Sequence, residues 1–246
     1  ASLLKVFSGY LTDKYQKKKP IAFLGYLAGL VYKAALLVTS SWGGVLAARV
    51  VDRVGKGIRT TPRDVMVSDS AREGGLGVAF GLHKALDMLG SALGILLAWM
   101  LVKSAAAGQV DYKKVFLYSL VPAALSLAMF FFIREKRRAV PAENRERFWK
   151  NYFKLPGPLK FYLLVAFLFT LGNSSNAFLL LRARSVGYDD VSVILLYFAY
   201  NLTASLLAFP FGRLSDRLGR KRLLIAGYLV FGLVYLGFGF TQSKTA

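Results

Sequence analysis

Nine polar or ionisable residues interrupt long apolar stretches of this chain, and their chemistry needs an explanation. An ionisable group inside a membrane span is costly, so it is by default a candidate for solute binding or proton transfer. Amide groups at the same depth suit the wall of a solute pathway. The ninth, Asp52, belongs with Arg49 and with the connectors. We predict a polar pathway from the other eight, which are Lys33, Arg49, His83, Lys84, Asp87, Asn173, Asn176 and Asn201.

Asp87 best fits the role of a proton carrier. It lies about 15 Å of helix beyond Gly77, near the middle of a span that begins there. Low-dielectric surroundings disfavour the charged form of a carboxyl group, so Asp87 could take up and release a proton. His83, one turn away, could relay it. A nearby Lys84 or Lys33 would instead hold Asp87 as a permanent structural anion.

The other charged positions have structural alternatives. Arg49 and Asp52 lie three residues apart on one helix face and could neutralise each other as a structural pair. His83 and Lys84 could reach the membrane interface with their polar tips. The run of small and polar residues at 172–176 could form hydrogen bonds between helices, although five in succession favour a cavity wall.

The composition excludes the soluble and disordered classes. The 246 residues are 55% apolar and 19% charged, whereas soluble domains are about 45–50% apolar and about 25% charged. The chain has no Cys and one His. These residues provide no metal-ligand cluster and no nucleophile–base set, so we predict no enzyme, no metal and no cofactor.

Seven stretches are long and apolar enough to cross a bilayer, which takes about 20 residues at ~1.5 Å each. An eighth stretch, 2–12, is too short and is interpreted as the end of a longer helix. The predicted class is an all-α integral membrane protein. Its complete spans are expected at 20–40, 42–57, 77–102, 115–133, 161–181, 191–211 and 223–241.

The basic residues orient these spans. Of the 33 Lys and Arg residues, 23 lie in the alternate connectors 13–19, 53–74, 134–160 and 213–222. Positive charge of this kind marks cytoplasmic connectors. The net charge of +20 then reflects topology and attraction to anionic lipids, and nucleic-acid binding is not expected. The predicted location is a cell membrane.

Two of these connectors contain the same motif. Residues 9–18 and 212–221 both fit Gly-x-Leu-x-Asp-(Lys/Arg)-x-x-(Lys/Arg)-(Lys/Arg), and their glycines are 203 residues apart. Glycine allows two helices to approach closely. Aspartate can face a helix N-terminus or a cation. Two copies at this separation argue against a generic basic turn.

This arrangement resembles the major facilitator superfamily, whose two six-helix halves each carry the motif between their second and third helices. Residues 53–64 are similar to a bacterial and archaeal subgroup with a Gly-Lys-Gly-Ile-Arg-Thr segment followed by Pro-Arg-Asp. The resemblance implies a partial fold from a truncated helix 2 to helix 9. It divides the chain into an N-terminal bundle (1–133), a cytoplasmic linker (134–160) and the start of a C-terminal bundle (161–246).

The resemblance also implies a cytoplasmic gate built on the two motif copies. Asp13 and Asp216 are expected to make charge-assisted contacts there, with Asp52 and Arg53 beside the first copy. The residues assigned to this gate are Gly9, Asp13, Lys17, Asp52, Arg53, Gly212, Asp216, Arg217 and Arg220.

The fifth helix of that scheme carries a third pattern. Gly81, Gly90 and Gly94 match the glycine spacing of the superfamily's antiporter motif. The proline that the motif expects next is absent. The glycines are thus compatible with export and equally with tight helix packing alone.

The leading hypothesis is a secondary transporter that moves a small solute by alternating access. A proton or another ion would drive it, because the sequence has no phosphate-binding loop for ATP. The alternative is a non-transporting membrane protein: a fragment, a receptor or a scaffold. Expected partners are the solute, the coupling ion and membrane lipids, and the oligomeric state stays open.

Overall fold

The computed structural model describes residues 2–15, 17–103, 112–133, 135, 156–172 and 176–240. Within these ranges the chain forms nine helices and no strand, which confirms the predicted all-α class. The helices are α1 (Ser2–Tyr15), α2 (Lys18–Val38), α3 (Trp42–Ser70), α4 (Leu76–Lys103), α5 (Tyr112–Met129), α6 (Gly157–Gly172), α7 (Asn176–Ser185), α8 (Asp190–Leu218) and α9 (Arg220–Phe240).

Four helical stretches in the described ranges are long and apolar enough to cross a membrane. They cover Lys18–Val38, Leu76–Leu101, Gly157–Ser185 and Val191–Leu218. Large apolar side chains such as Leu97 and Leu229 are more than half exposed. This apolar surface is typical of a protein that faces lipid.

The structure departs from one of the predicted spans. The stretch 42–57 continues as helix to Ser70, although Pro62 lies inside it. Most of the predicted connector 53–74 is therefore helical. The stretch 161–181 is described over α6 and α7, while residues 173–175 lie outside the described part of the chain.

The first helices pack around α3. α2 crosses α3 in the antiparallel sense, because Gly25 lies against Gly55 and Arg59. An ideal Cβ on Gly25 would lie 2.7 Å from the Gly55 carbonyl oxygen. Glycines permit this close approach. α1 also packs on α3, and α5 packs on α2.

α4 makes its broadest contact with α8 and touches α3 and α5 over smaller areas. The sequence assigned α4 to the N-terminal bundle and α8 to the C-terminal one. The division at residues 134–160 stays a prediction, since residues 136–155 lie outside the described ranges. The α4–α8 contact joins the two predicted bundles.

The ends of several helices meet on one side of the molecule, here called the connector side. Lys18 at the start of α2 contacts Asp69 near the end of α3, and its backbone N–H donates to Glu135. The end of α8 contacts the start of α4 through Asp216. The predicted basic connectors thus share one side, as far as they are described.

Candidate functional site

Small residues bring α4 and α8 into backbone contact. An ideal Cβ on Gly212 would lie 2.9 Å from the Gly81 Cα, and it would collide with the Gly77 carbonyl oxygen. Farther from the connector side, the Ser205 hydroxyl donates to the Ala85 carbonyl oxygen at 2.7 Å. Backbone therefore meets backbone at Gly77, Gly81 and Gly212.

Asp216 closes this interface on the connector side. Its carboxylate accepts hydrogen bonds from the backbone N–H of Gly77 at 2.7 Å and from that of Val78 at 2.8 Å. The first N–H groups of a helix have no acceptor within the helix. Gly75, which precedes α4, has no side chain that could serve as an N-cap. Asp216 therefore caps α4 from another helix, and we call this contact the latch.

Two physical effects favour the latch. Hydrogen bonds to a charged group are stronger than those between neutral groups. The positive end of the helix macrodipole also attracts a carboxylate. The latch is thus the charge-assisted contact that the second motif copy predicts. Its partner is a helix N-terminus, one of the two partners that the sequence left open.

The first motif copy lies against α3. The Ser8 hydroxyl donates to the Gly57 carbonyl oxygen at 3.2 Å, and an ideal Cβ on Gly9 would lie 3.4 Å from Cγ2 of Thr61. The side chain of Asp13 lies outside the described part of the chain. The expected cluster of Asp13 with Asp52 and Arg53 therefore stays a prediction.

A charged cluster of Lys18, Asp69 and Glu135 lies on the connector side and was not predicted from the sequence. Lys18 is 7% exposed, and its ammonium group pairs with Asp69. The backbone N–H of Lys18 donates to the Glu135 carboxylate at 2.6 Å. The Lys18–Asp69 pair spans 51 residues, so no short motif could reveal it.

Lys33, Arg49 and Asp52 on α2 and α3 are not arranged around the ion pair of Arg49 with Asp52 that the sequence suggested. Arg49 is exposed and makes no ion pair with Asp52 among the described residues. Lys33 donates to the Ser119 carbonyl oxygen at 3.1 Å and lies within electrostatic range of Asp52 and Arg59. The structure thus brings Asp52 towards Lys33.

On α4, Lys84 and Asp87 form an exposed ion pair, with 3.6 Å between Nζ and Oδ2. His83 is half-buried one turn from Asp87 and lies within electrostatic range of Arg63 and Asp64 on α3. The predicted group of His83, Lys84 and Asp87 is therefore placed together.

The remaining predicted residues are dispersed. Asn201 is 2% exposed and donates to the Tyr197 carbonyl oxygen on its own helix. Gly90 and Gly94 have no described atom within 4 Å of an ideal Cβ, unlike Gly81. Six more predicted residues are four cations and two asparagines. Lys17, Arg53, Arg217 and Arg220 are exposed, while Asn173 and the side chain of Asn176 lie outside the described part.

These features define a multi-pass α-helical membrane protein in which a charged, repeated motif meets a small-residue helix interface. The chain belongs to the major facilitator superfamily, which matches it over residues 1–245. This membership assigns it to a family of membrane transporters and not to an enzyme family.

The chain is similar to two relatives, of which the first supports the assignment. An uncharacterized MFS-type transporter of Methanocaldococcus jannaschii is 35% identical over 250 residues, covering 99% of this chain and 61% of the relative. An uncharacterized protein of Mycobacterium tuberculosis is 25% identical over 253 residues, covering 98% and 60% respectively. The chain thus spans about three fifths of the length of these relatives. No solved structure matches it.

Proposed function

We propose that this protein is a secondary transporter that moves a small solute across a cell membrane by alternating access, with the connector side in the cytoplasm. The observation that carries the proposal is the latch. It joins α8 of the C-terminal part to α4 of the N-terminal part through a single carboxylate and two backbone N–H groups.

The latch suits a gate because its bonds form only when the two helices meet. Separation of α4 and α8 on the connector side would return the carboxylate and the N–H groups to water. The net cost is then a few kcal/mol, since water replaces most of each bond. A contact of this strength can hold one conformation and still yield to a solute that binds the other more tightly.

A cross-link across α4 and α8 tests this function. Ala85→Cys and Ser205→Cys would place two thiols on the adjoining turns of α4 and α8 that the 2.7 Å hydrogen bond from the Ser205 hydroxyl to the Ala85 backbone carbonyl oxygen now joins. In proteoliposomes of the full-length protein, the disulfide should abolish uptake of a solute found by panel screening, and a reductant should restore it. Each single Cys variant is the matched control. Undiminished uptake with the disulfide fully formed would contradict alternating access at this interface.

The same assay separates the transporter from the alternative of a receptor or scaffold. Uptake of no solute, under pH gradients of either polarity, would favour the alternative. Comparison of the two polarities also distinguishes import from export, since a proton antiporter and a proton symporter respond in opposite senses.

We further propose proton coupling through Asp87. Its pairing with the neighbouring Lys84 at 3.6 Å is exposed, so the carboxylate is open to protons and to exchange of partners. Asp87→Asn should abolish gradient-driven uptake and preserve solute counterflow, which needs no proton transfer. Loss of both activities, or of neither, would remove Asp87 from this role.

A further inference from the structure

Five cations follow one face of α3. Arg49, Arg53, Lys56, Arg59 and Arg63 recur at intervals of three or four residues, the spacing of a single helix face. At ~100° per residue they fall within an arc of about 120°. Over 14 residues this face is about 21 Å long. We call these five residues the cationic stripe.

Three residues of the stripe, Arg49, Arg53 and Lys56, are exposed, whereas Arg59 packs against α2 at Gly25 and Tyr26. Gly55 lies against Ala28 of α2, and Gly57 accepts a hydrogen bond from Ser8 of α1. Both glycines lie on flanks of α3 outside the arc of the stripe. Arg59 and Arg63 are half-buried.

The positive charge of the stripe exceeds the negative charge on the same face. Asp52 also falls within the arc, and its carboxylate makes no ion pair with a described side chain. Arg63 pairs with Asp64, with 3.0 Å between N and O. Arg59 lies over the Tyr26 ring at 4.9 Å, without a carboxylate within ion-pair distance among the described side chains. The side chains of the remaining three, Arg49, Arg53 and Lys56, make no ion pair with any side chain that the structure describes.

Two physical arguments assign a function to this face. Cations along a lipid-facing surface are costly, so charged faces of membrane helices border water-filled pathways. A cleft lined by one sign of charge concentrates ligands of the opposite sign. Guanidinium groups also match the geometry of carboxylate and phosphate oxygens.

We propose that the cationic stripe is a wall of the solute pathway and that the solute is an anion bearing carboxylate or phosphate groups. The inference rests on the proposed transport function and adds the chemical class of the substrate. Arg59 is the best-prepared ligand, because the Tyr26 ring and the Gly25 carbonyl oxygen at 3.4 Å hold its guanidinium in place.

Charge-selective labelling tests the proposal. Thr60 lies within the arc of the stripe, and Thr60→Cys is introduced into the full-length protein after any cysteine outside these 246 residues has been replaced; the protein is reconstituted in phosphatidylcholine vesicles. The probes are the anionic sulfonatoethyl and the cationic trimethylammonioethyl methanethiosulfonates. The ratio of their rates, normalised to the ratio for a free thiol, should favour the anionic reagent by about tenfold or more.

Matched variants assign the preference to the stripe. Arg53→Gln with Lys56→Gln removes two charges from the stripe and should abolish most of the preference. Lys221→Gln with Arg222→Gln removes two charges from α9 and should leave it unchanged. A ratio that favours the cationic reagent, or that ignores the first pair of substitutions, would overturn the proposal.

A competition experiment distinguishes a solute anion from an anionic lipid head group as the ligand of the stripe. At constant ionic strength, citrate or inorganic phosphate should slow labelling and glucose should not. If phosphatidylglycerol in the vesicles slows labelling while citrate and phosphate have no effect, the stripe binds lipid head groups and the proposed substrate class is wrong. Because labelling needs no transport, its failure would leave the cross-linking test of the transport function intact.

Discussion

Removal of the charge from Asp216 should shift the conformational equilibrium towards the form that is open on the connector side, and the size of this shift can be calculated. The latch consists of two hydrogen bonds to a carboxylate, at 2.7 and 2.8 Å, each contributing about 1.5 kcal/mol at the low end of the range for charged partners. In Asp216→Asn a single neutral amide oxygen recovers about 1 kcal/mol. The closed conformation then loses about 2 kcal/mol, which is a shift of about 30-fold towards the open one.

Distances between spin labels on the connector side measure this shift. Glu73, in the loop before α4, and Leu218, at the end of α8, are both exposed and can carry the labels. Asp216→Asn should move most of the distance distribution to longer values without loss of protein. Asp189→Asn, at the opposite end of α8, is the control and should leave the distribution unchanged. An unaltered distribution in Asp216→Asn would refute the argument that the latch holds the closed state.

Three further predictions concern stability and protonation. Gly212→Ala should lower stability by about 1–3 kcal/mol in thermal unfolding because its Cβ has no room, whereas Gly90→Ala should raise it by about 0.5–1 kcal/mol; equal effects would contradict the packing. Asp69→Asn should cost about 3 kcal/mol in the same assay, since it leaves a buried ammonium group unpaired; a loss below about 1 kcal/mol would be typical of an exposed pair. The Ser192 hydroxyl donates to the exposed Asp189 carboxylate and lowers the pKa of that group below 3.8. This stabilisation is therefore present above pH 3.8 and lost as the pH falls through the lowered pKa. In Ser192→Ala the pKa should rise, which ¹³C NMR of the carboxyl carbon can detect; no change would contradict the assignment.

The sequence predicted helices well where an apolar run and its polar flanks coincide with the helix ends. The spans expected at 20–40 and 77–102 are α2 and α4 to within about two residues, an ordinary uncertainty for helix ends. The span at 42–57 was too short, because hydropathy falls where the cations begin but the backbone of α3 continues as helix. Charged residues favour a polar environment around a helix, but they do not end the helix.

The candidate site was predictable only in part. Asp216 was found because its motif occurs twice. Its partners, the N–H groups of Gly77 and Val78, have no sequence signature, since every residue except proline carries one. The pair of Lys18 and Asp69 depends on where α2 and α3 meet, which a single sequence does not specify.

The chemistry of the latch also limits which second mutations could restore it after a substitution at Asp216. In an ordinary ion pair, exchange of the two charges can restore attraction, so a defect on one side can be suppressed on the other. Here one partner is main chain, and no substitution at Gly77 or Val78 can supply a compensating charge in the same place. A substitution at Asp216 should therefore have no charge-swap suppressor on α4. Val78→Pro, which deletes one donor, should mimic part of the loss in a protein whose Asp216 is intact.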